Sequence, residues 1–165
     1  MRILVLSDTH ITNPGETIFE MLEEEIIKSD YCFHAGDFTI YPVYNMLIEK
    51  IKTYAVAGNM DDEQIANKLP KKVIVKLAGF TFALIHGRGT SNKIEQYVTN
   101  QFQKDFDKID IFIFGHSHQP VNHQLKDKIY FNPGSIGDTI TTSKKSYGTI
   151  EIEDNRLKRR IQYIG

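Results

Sequence analysis

The chain has 165 residues, of which 41% are hydrophobic and 25% charged, and its formal net charge is −1. This composition predicts a single folded domain over residues 1–165. The balanced charge argues against an extended nucleic-acid surface. No apolar run approaches the roughly 20 residues that cross a bilayer, and the single cysteine, Cys32, excludes an internal disulfide. We therefore expect a cytoplasmic protein with no membrane partner.

The first two thirds of the sequence alternate between apolar runs and amphipathic segments. Apolar runs typical of strands buried on both faces of a sheet occur at 3–7, 31–35, 53–57, 81–85 and 109–114. Helices are expected at 16–28, 44–50 and 92–106, where apolar residues recur at helical spacing. This alternation favours crossover units with helices on the faces of a sheet.

From residue 73 onward, short strands separated by turn residues dominate. We expect them at 73–77, 79–80, 121–125, 129–131, 147–152 and 157–163. Together, the two halves predict an α/β fold of four layers. It is an α/β/β/α sandwich, in which two mixed β-sheets pack face to face and are flanked by helices.

Each of the five long apolar runs is followed by side chains that can bind a metal ion. These residues are Asp8 and His10, Asp37, Asn59, His86, and His116 with His118. Ligands of α/β sheets bind outside the carboxyl ends of the strands, so these side chains should converge. A core role does not explain them, because buried ionisable groups need partners. The pattern predicts a metal site.

The spacing and chemistry of these side chains favour two cations. Residues i and i+2 of an extended segment point the same way, so Asp8 with His10, and His116 with His118, could each serve one ion or be split between two. Asp37 could bridge, with one oxygen for each ion. Carboxylate, amide and imidazole without thiolate suit Mn²⁺, Ni²⁺, Fe²⁺, Zn²⁺ or Co²⁺ and do not choose among them; we take Mn²⁺ as the first candidate. Two such ions about 3.5 to 4 Å apart support in-line displacement at phosphorus.

The order of these motifs resembles that of the calcineurin-like metallophosphoesterase superfamily. The motifs are Asp8-Thr9-His10, Gly36-Asp37, Gly58-Asn59-Met60-Asp61, His86-Gly87 and Gly115-His116-Ser117-His118. The short chain and its segment Asn132-Pro133-Gly134-Ser135 resemble the small prokaryotic phosphodiesterase branch of that superfamily. The resemblance implies hydrolysis of a phosphodiester by attack of a metal-bridging hydroxide.

The resemblance also implies how the ligands are divided. One ion would be held by Asp8, His10, Asp37 and His118. The second would be held by Asp37, Asn59, His86 and His116, with Asn59 also a candidate phosphate contact. Many members of the superfamily carry a histidine where this chain has Met60. Since general-acid catalysis contributes about 10²- to 10⁴-fold, its absence predicts slow turnover of substrates with poor leaving groups.

Two alternatives to the phosphodiesterase stay open. One is a phosphomonoesterase or nucleotidase that uses the same site. The other is a non-catalytic interaction scaffold, because the fold also resembles the small retromer subunit. A homodimer is plausible, since the edges of a sheet need covering, although no residue pattern requires one.

For a few other polar residues, the sequence is compatible with either a role in the site or a purely structural role. Arg88 could bind a phosphate oxygen, or be a solvated loop residue. Asn132 and Ser135 either line the cleft or form an ordinary turn. His34 is expected in the core or behind the ligands, and His123 at the surface.

Overall fold

The computed structural model describes residues 1–12, 18–137 and 144–164. Its elements in chain order are β1 (Arg2–Leu6), α1 (Ile18–Met21), α2 (Glu23–Lys28), β2 (Tyr31–His34), α3 (Tyr41–Lys50), β3 (Thr53–Ala55), α4 (Glu63–Lys68), β4 (Lys72–Leu77), β5 (Phe80–Ile85), α5 (Ile94–Gln101), a 3₁₀ helix (Gln103–Lys108), β6 (Ile111–Ile113), β7 (Val121–Leu125), β8 (Lys128–Asn132), β9 (Lys145–Glu153) and β10 (Arg156–Ile164). Within these ranges no helix is long and apolar enough to cross a membrane.

The strands form two five-stranded sheets. The first has the order β10-β9-β1-β2-β3, and the second has the order β4-β5-β6-β8-β7. In the first sheet β1, β2 and β3 are parallel, while β9 and β10 add antiparallel strands. In the second sheet β5, β6 and β8 are parallel, and antiparallel strands β4 and β7 lie at the edges. Both sheets are therefore mixed, as predicted.

Alternating residues of the central strands separate the layers. Ile3 and Val5 of β1 belong to an apolar cluster that also contains Phe82 of the second sheet. Leu4 and Leu6 belong instead to the cluster formed with α1 to α4. On the far side of the second sheet, α5 and the 3₁₀ helix complete a third cluster. Both faces of each sheet are covered, which explains why the central strands are continuously apolar, and the α/β/β/α sandwich is confirmed.

Two of the predicted helices are interrupted. The segment 16–28, of which residues 16 and 17 lie outside the described ranges, contains α1 and α2 with a break at Leu22. The segment 92–106 divides at Phe102 into α5 and the 3₁₀ helix. Leu22 (φ −99°, ψ 1°) and Phe102 (φ −112°, ψ 18°) lie near the bridge region of backbone space. Both side chains are buried, so each helix is interrupted at a residue whose side chain packs in the core.

Further differences from the prediction concern α4, the start of α3 and the turn before β5. Helix α4 was not predicted; it begins where the side chain of Asp62 accepts a hydrogen bond of 2.9 Å from the backbone N–H of Ile65. Helix α3 begins at Tyr41, with a proline in its first turn. The expected strand at 79–80 does not exist separately, because Ala78 and Gly79, both with positive φ, form the turn into β5.

Candidate metal centre

The loops that follow β1, β2, β3, β5 and β6 meet at one edge of the two sheets. The parallel strands of each sheet end together there, which brings their loops into contact. All seven predicted ligands reach this edge, and their donor atoms lie within about 4 Å of at least one other member of the set. The members are Asp8, His10, Asp37, Asn59, His86, His116 and His118.

One half of the site is built from Asp8, His10 and His118. Nε2 of His118 lies 3.2 Å from Oδ1 of Asp8, and Nε2 of His10 lies 3.7 Å from the same oxygen. The two imidazole nitrogens are 3.1 Å apart. Two ligand atoms at about 2.0 to 2.1 Å from one cation, separated by 90° to 109°, would be about 2.8 to 3.4 Å apart. Two of the three separations lie in this range and the third exceeds it by 0.3 Å, so the three donors are close enough together to hold a common ion.

The other half is built from Asn59, His86 and His116. Oδ1 of Asn59 lies 3.0 Å from Nε2 of His86 and 2.9 Å from Nδ1 of His116. The two ring nitrogens are 3.3 Å apart, again within the spacing of two ligands on one ion. The Nδ1 of His86 lies 2.8 Å from the carbonyl oxygen of Ala35 and carries the proton that it donates there. In the neutral form of His86, Nε2 then has a lone pair that faces the site.

Asp37 lies between the two halves. Its Oδ2 atom is 3.2 Å from Nε2 of His86 and 3.7 Å from Nε2 of His10. Its Oδ1 atom accepts a hydrogen bond of 2.8 Å from the backbone N–H of Met60. We expected one carboxylate oxygen for each ion, but in the structure a single oxygen faces both halves.

The backbone at the ligands is left-handed. Five of the seven have positive φ: Asp8 (54°), His10 (47°), Asp37 (60°), His116 (68°) and His118 (55°). Such conformations cost about 1–3 kcal/mol each in non-glycine residues and collect at functional sites. They also remove the alternation of an extended strand. His116 and His118 point into different halves, whereas Asp8 and His10 share one, and the spacing of each pair had left both arrangements open.

The two carboxylates of the site, Asp8 and Asp37, are buried and ionised, which suits them to bind a cation. Oδ1 of Asp8 is fully buried and, among the described residues, has no hydrogen-bond partner. Burial works to raise the pKa of Asp8, but the imidazoles of His10 and His118 outweigh it and hold that pKa well below its usual value. Burial likewise opposes ionisation of Asp37, whose pKa is nevertheless lowered, chiefly by His86. A cation would satisfy the buried oxygen and both charges.

The surroundings raise the pKa of His10 and His86 but lower that of His116. The pKa of His10 is raised by the carboxylate of Asp8. Burial opposes protonation of His86, but Asp37 raises its pKa. Burial lowers the pKa of His116, which favours the neutral form that binds metal. The residues present thus fit divalent cations, and ligation by all seven stays a prediction.

Residues behind the ligands hold the loops, and most of these contacts were not predicted. Asp61 accepts backbone hydrogen bonds from Gly58 (2.7 Å), Thr39 (2.8 Å) and Asp37 (3.2 Å), and burial raises its pKa. It thereby ties the loop after β2 to the loop after β3. The sequence signal for this role is only that Asp61 stands two positions after Asn59.

Another support lies under Asp8. Its Oδ2 atom accepts hydrogen bonds from the hydroxyl of Ser7 (2.5 Å) and from the backbone N–H of His116 (3.0 Å). A side chain at Gly115 would clash with Ser7, so the close approach of these two loops requires glycine there. The contact fixes Asp8 against the loop after β6.

The remaining polar residues lie either behind the candidate ligands or beside the site. Asn132 and Ser135 are buried and bond to the carbonyl oxygens of Gly115 (3.0 Å) and Asp8 (2.8 Å), so they support the ligand loops rather than line the cleft. His34 is buried behind the ligands, as expected. Arg88 is exposed in a cavity beside the site, and a phosphate contact stays a prediction.

Fold and site together define a metal-dependent phosphoesterase. The profile of the calcineurin-like phosphoesterase superfamily domain matches residues 1–155. The chain therefore belongs to the calcineurin-like phosphoesterase superfamily, and the resemblance proposed from its motifs is confirmed.

Individual relatives agree with this assignment. A probable metallophosphoesterase of Methanothermobacter thermautotrophicus is 31% identical over 139 residues, which cover 82% of this chain and 77% of that protein. A phosphodiesterase of Methanocaldococcus jannaschii is 26% identical over an alignment that covers 93% of this chain and 100% of that protein. The crystal structure of Vps29 from Entamoeba histolytica complexed with zinc has a TM-score of 0.77 at 20% identity, covering 99% of this chain and 98% of that one. This last likeness shows the fold alone.

Proposed function

We propose that this protein is a phosphodiesterase that works with two divalent cations, one in each half of the site. The observation that carries the proposal is the position of Asp37, whose Oδ2 atom faces His10 in one half and His86 in the other. A carboxylate shared in this way is what a pair of adjacent ions requires. We assign Asp8, His10, Asp37 and His118 to one ion, and Asp37, Asn59, His86 and His116 to the other.

The reaction is hydrolysis. The oxygen of a water molecule forms a bond to phosphorus, the bond from phosphorus to one ester oxygen breaks, and the products are a phosphomonoester and an alcohol or phenol. Two bound cations would lower the pKa of that water, neutralise the phosphate oxygens and stabilise the charge that develops during in-line displacement. Mn²⁺ is the preferred ion, with Ni²⁺, Fe²⁺, Zn²⁺ and Co²⁺ as alternatives.

The residues of the chain orient the reaction rather than form a covalent bond to the substrate. Asn59 is exposed at the mouth of the site, where its amide can contact a phosphate oxygen. The buried carboxylates of Asp8 and Asp37 stay ionised and supply fixed negative charge. Met60, which has no acidic proton, follows Asn59. The leaving oxygen therefore departs without a side-chain donor at this position, which favours diesters with good leaving groups.

The test compares a diester with a monoester. Protein stripped with a chelator and reloaded with Mn²⁺ should hydrolyse bis(p-nitrophenyl) phosphate with a kcat/KM at least about tenfold above that for p-nitrophenyl phosphate. Asp37→Asn should lower kcat by at least about 100-fold and reduce the bound metal. Asp107→Asn, an exposed carboxylate on the 3₁₀ helix, should change neither.

Other results identify the alternatives. Faster hydrolysis of the monoester would indicate a phosphomonoesterase or nucleotidase. Bound metal well below one ion per chain, with no activity restored by Mn²⁺ or Ni²⁺, would indicate an interaction scaffold, with which the likeness to Vps29 is compatible. The homodimer and the cytoplasmic location stay predictions.

A further inference from the structure

A cavity of about 450 Å³ opens beside one half of the candidate metal centre. Asn59, His86 and His116 form the wall that it shares with the centre. The cavity then extends between the start of β4, the loop after β5 and one face of α5. A group attached to a phosphate at the centre can therefore extend into it. We call it the cationic cavity, because of the three residues described next.

The charge of the cavity is positive. Lys71, Lys72 and Arg88 line it, and no aspartate or glutamate of the described ranges does. Lys72 is partly engaged, because its Nζ donates to the carbonyl oxygen of Gln101 and lies 5.2 Å from the centre of the Phe102 ring. Lys71 and Arg88 are exposed and, within the part of the chain that the structure describes, have neither a hydrogen bond nor an ion pair. Their charges are available to a ligand.

The floor of the cavity is apolar and aromatic. Ala57 and Ile85 are buried there, and the ring of Tyr97 on α5 is half-buried beside them. Such a surface accepts a planar ring, since an aromatic side chain stacks on any nucleobase. The volume lies within the usual range of about 300 to 1,000 Å³ for small-molecule sites.

We propose that the cationic cavity binds the ester substituent of a phosphodiester substrate that carries both a planar ring and a second phosphate. The ring lies against Tyr97, and Arg88 and Lys71 bind the second phosphate. Arg88 presents the forked donors that match phosphate geometry, while Lys71 adds a point charge. This inference rests on the proposed phosphodiesterase function and narrows its substrates to nucleotide-type diesters.

The experiment uses two chromogenic substrates that differ by one phosphate. They are p-nitrophenyl thymidine 5′-phosphate and its analogue with an additional 3′-phosphate, and hydrolysis of each releases nitrophenolate. With the Mn²⁺-loaded protein, the 3′-phosphate should lower KM about tenfold with little change in kcat. The preference should weaken as ionic strength rises, because the cations are exposed.

Variants show whether the preference for the 3′-phosphate comes from the cavity or from the overall charge of the protein. Arg88→Ala and Lys71→Ala should each remove most of the preference for the 3′-phosphate. Arg88→Lys should retain part of it, since the charge stays and the forked geometry is lost. Lys158→Ala, an exposed lysine on β10, should keep it. A preference that survives both alanine variants would overturn the proposal, because the second phosphate would then be bound elsewhere, for example by the metal ions.

Failure of the two proposals can be distinguished. If bis(p-nitrophenyl) phosphate is hydrolysed but the 3′-phosphate confers no preference, the cavity proposal is wrong and the phosphodiesterase stands. If no diester is hydrolysed, calorimetry tests the cavity separately. Thymidine 3′,5′-bisphosphate should then bind about tenfold more tightly than thymidine 5′-phosphate in the unaltered protein but not in Arg88→Ala. Equal affinities would overturn the proposal.

Discussion

Nε2 of His10 and Nε2 of His118 lie 3.1 Å apart, although 108 positions separate the two residues in the chain. Both nitrogens also lie within 4 Å of the buried Oδ1 atom of Asp8. A divalent cation among these three atoms would bind both imidazoles and satisfy the carboxylate. The arrangement therefore couples the stability of the fold to metal binding.

The first prediction follows from this coupling. Adding Mn²⁺ at about 100 times its dissociation constant to the metal-free protein should stabilise the fold by about 2.7 kcal/mol, which corresponds to a rise in Tm of about 5 to 10 °C. His10→Ala should lose most of this rise. His123→Ala should retain it, because His123 is exposed and contacts Glu95. The measurement is thermal unfolding with and without Mn²⁺, and an equal rise in both variants would contradict it.

The sequence could predict that the candidate ligands converge, because the signal for each of them is local. Each follows a strand long and apolar enough to be recognised, and parallel strands end at one edge of a sheet. The direction of each side chain was harder to predict. The i, i+2 rule holds for extended backbone, whereas His116 and His118 have φ of 68° and 55°. Sequence spacing therefore could not decide whether they share an ion.

Supporting residues and short elements were harder to predict for a related reason. Asp61 accepts hydrogen bonds from backbone N–H groups of two loops, and such partners cannot be recognised from the types of residue in a sequence. Helix α4 has six residues and one buried apolar side chain, Ile65, so it shows no periodicity. The capping position of Asp62 was its only local signal. Contacts that depend on tertiary packing required the structure.

The second prediction concerns Thr9, which stands between two ligands. The backbone N–H of Gly36 donates to Nδ1 of His34 (3.2 Å), so Nε2 of His34 carries the proton and donates to the hydroxyl of Thr9 (2.7 Å). Thr9→Val removes this acceptor and leaves a buried N–H without a partner, at a cost of about 1–3 kcal/mol. Because Thr9 positions the loop that carries Asp8 and His10, Mn²⁺ affinity should also fall about 10- to 100-fold.

Thr9→Ser is the matched control, since it retains the hydroxyl. Titration calorimetry with Mn²⁺ should give nearly unchanged affinity for the serine variant and weaker binding for the valine variant. If valine lowers the free energy of unfolding but leaves Mn²⁺ affinity intact, Thr9 is a core residue only, and its positioning role is refuted.

The third prediction is a pH dependence of stability. Burial lowers the pKa of His34 to about 3 in the folded protein, whereas an exposed histidine has a pKa of about 6.5. Between these two values the unfolded chain binds a proton that the folded protein does not. The stability contributed by neutral His34 is therefore complete above about pH 6.5 and is lost as the pH falls towards about 3.

His34→Gln tests whether His34 causes this loss of stability at low pH, because glutamine has no titratable group and can still donate to Thr9. Urea unfolding in the presence of a chelator should give a shallower loss of stability for the variant between pH 6 and pH 4. The difference in slope should approach about 1.4 kcal/mol per pH unit, the value for one proton. Parallel slopes would show that His34 does not account for the proton uptake.

The fourth prediction concerns the leaving group. Met60 is 57% exposed next to Asn59, and its backbone N–H donates a hydrogen bond to Asp37. Met60→His would place an acid of suitable pKa near the leaving oxygen, so kcat/KM for a diester with an alkyl leaving group should rise roughly tenfold. The gain should fall below the largest general-acid effects, because the carboxylate of Asp61 already accepts three backbone hydrogen bonds and does not orient the new imidazole.

The comparison that isolates proton donation uses Met60→Gln, which has similar size and no proton to give near neutral pH. For the alkyl diester, only the histidine variant should gain activity, and the gain should disappear as the pH rises above the pKa of the imidazole. For bis(p-nitrophenyl) phosphate both variants should stay within about twofold of the unaltered protein, because nitrophenolate needs no proton to leave. An equal gain in both variants would mean that Met60 obstructs the substrate, and that the missing proton donor does not limit turnover.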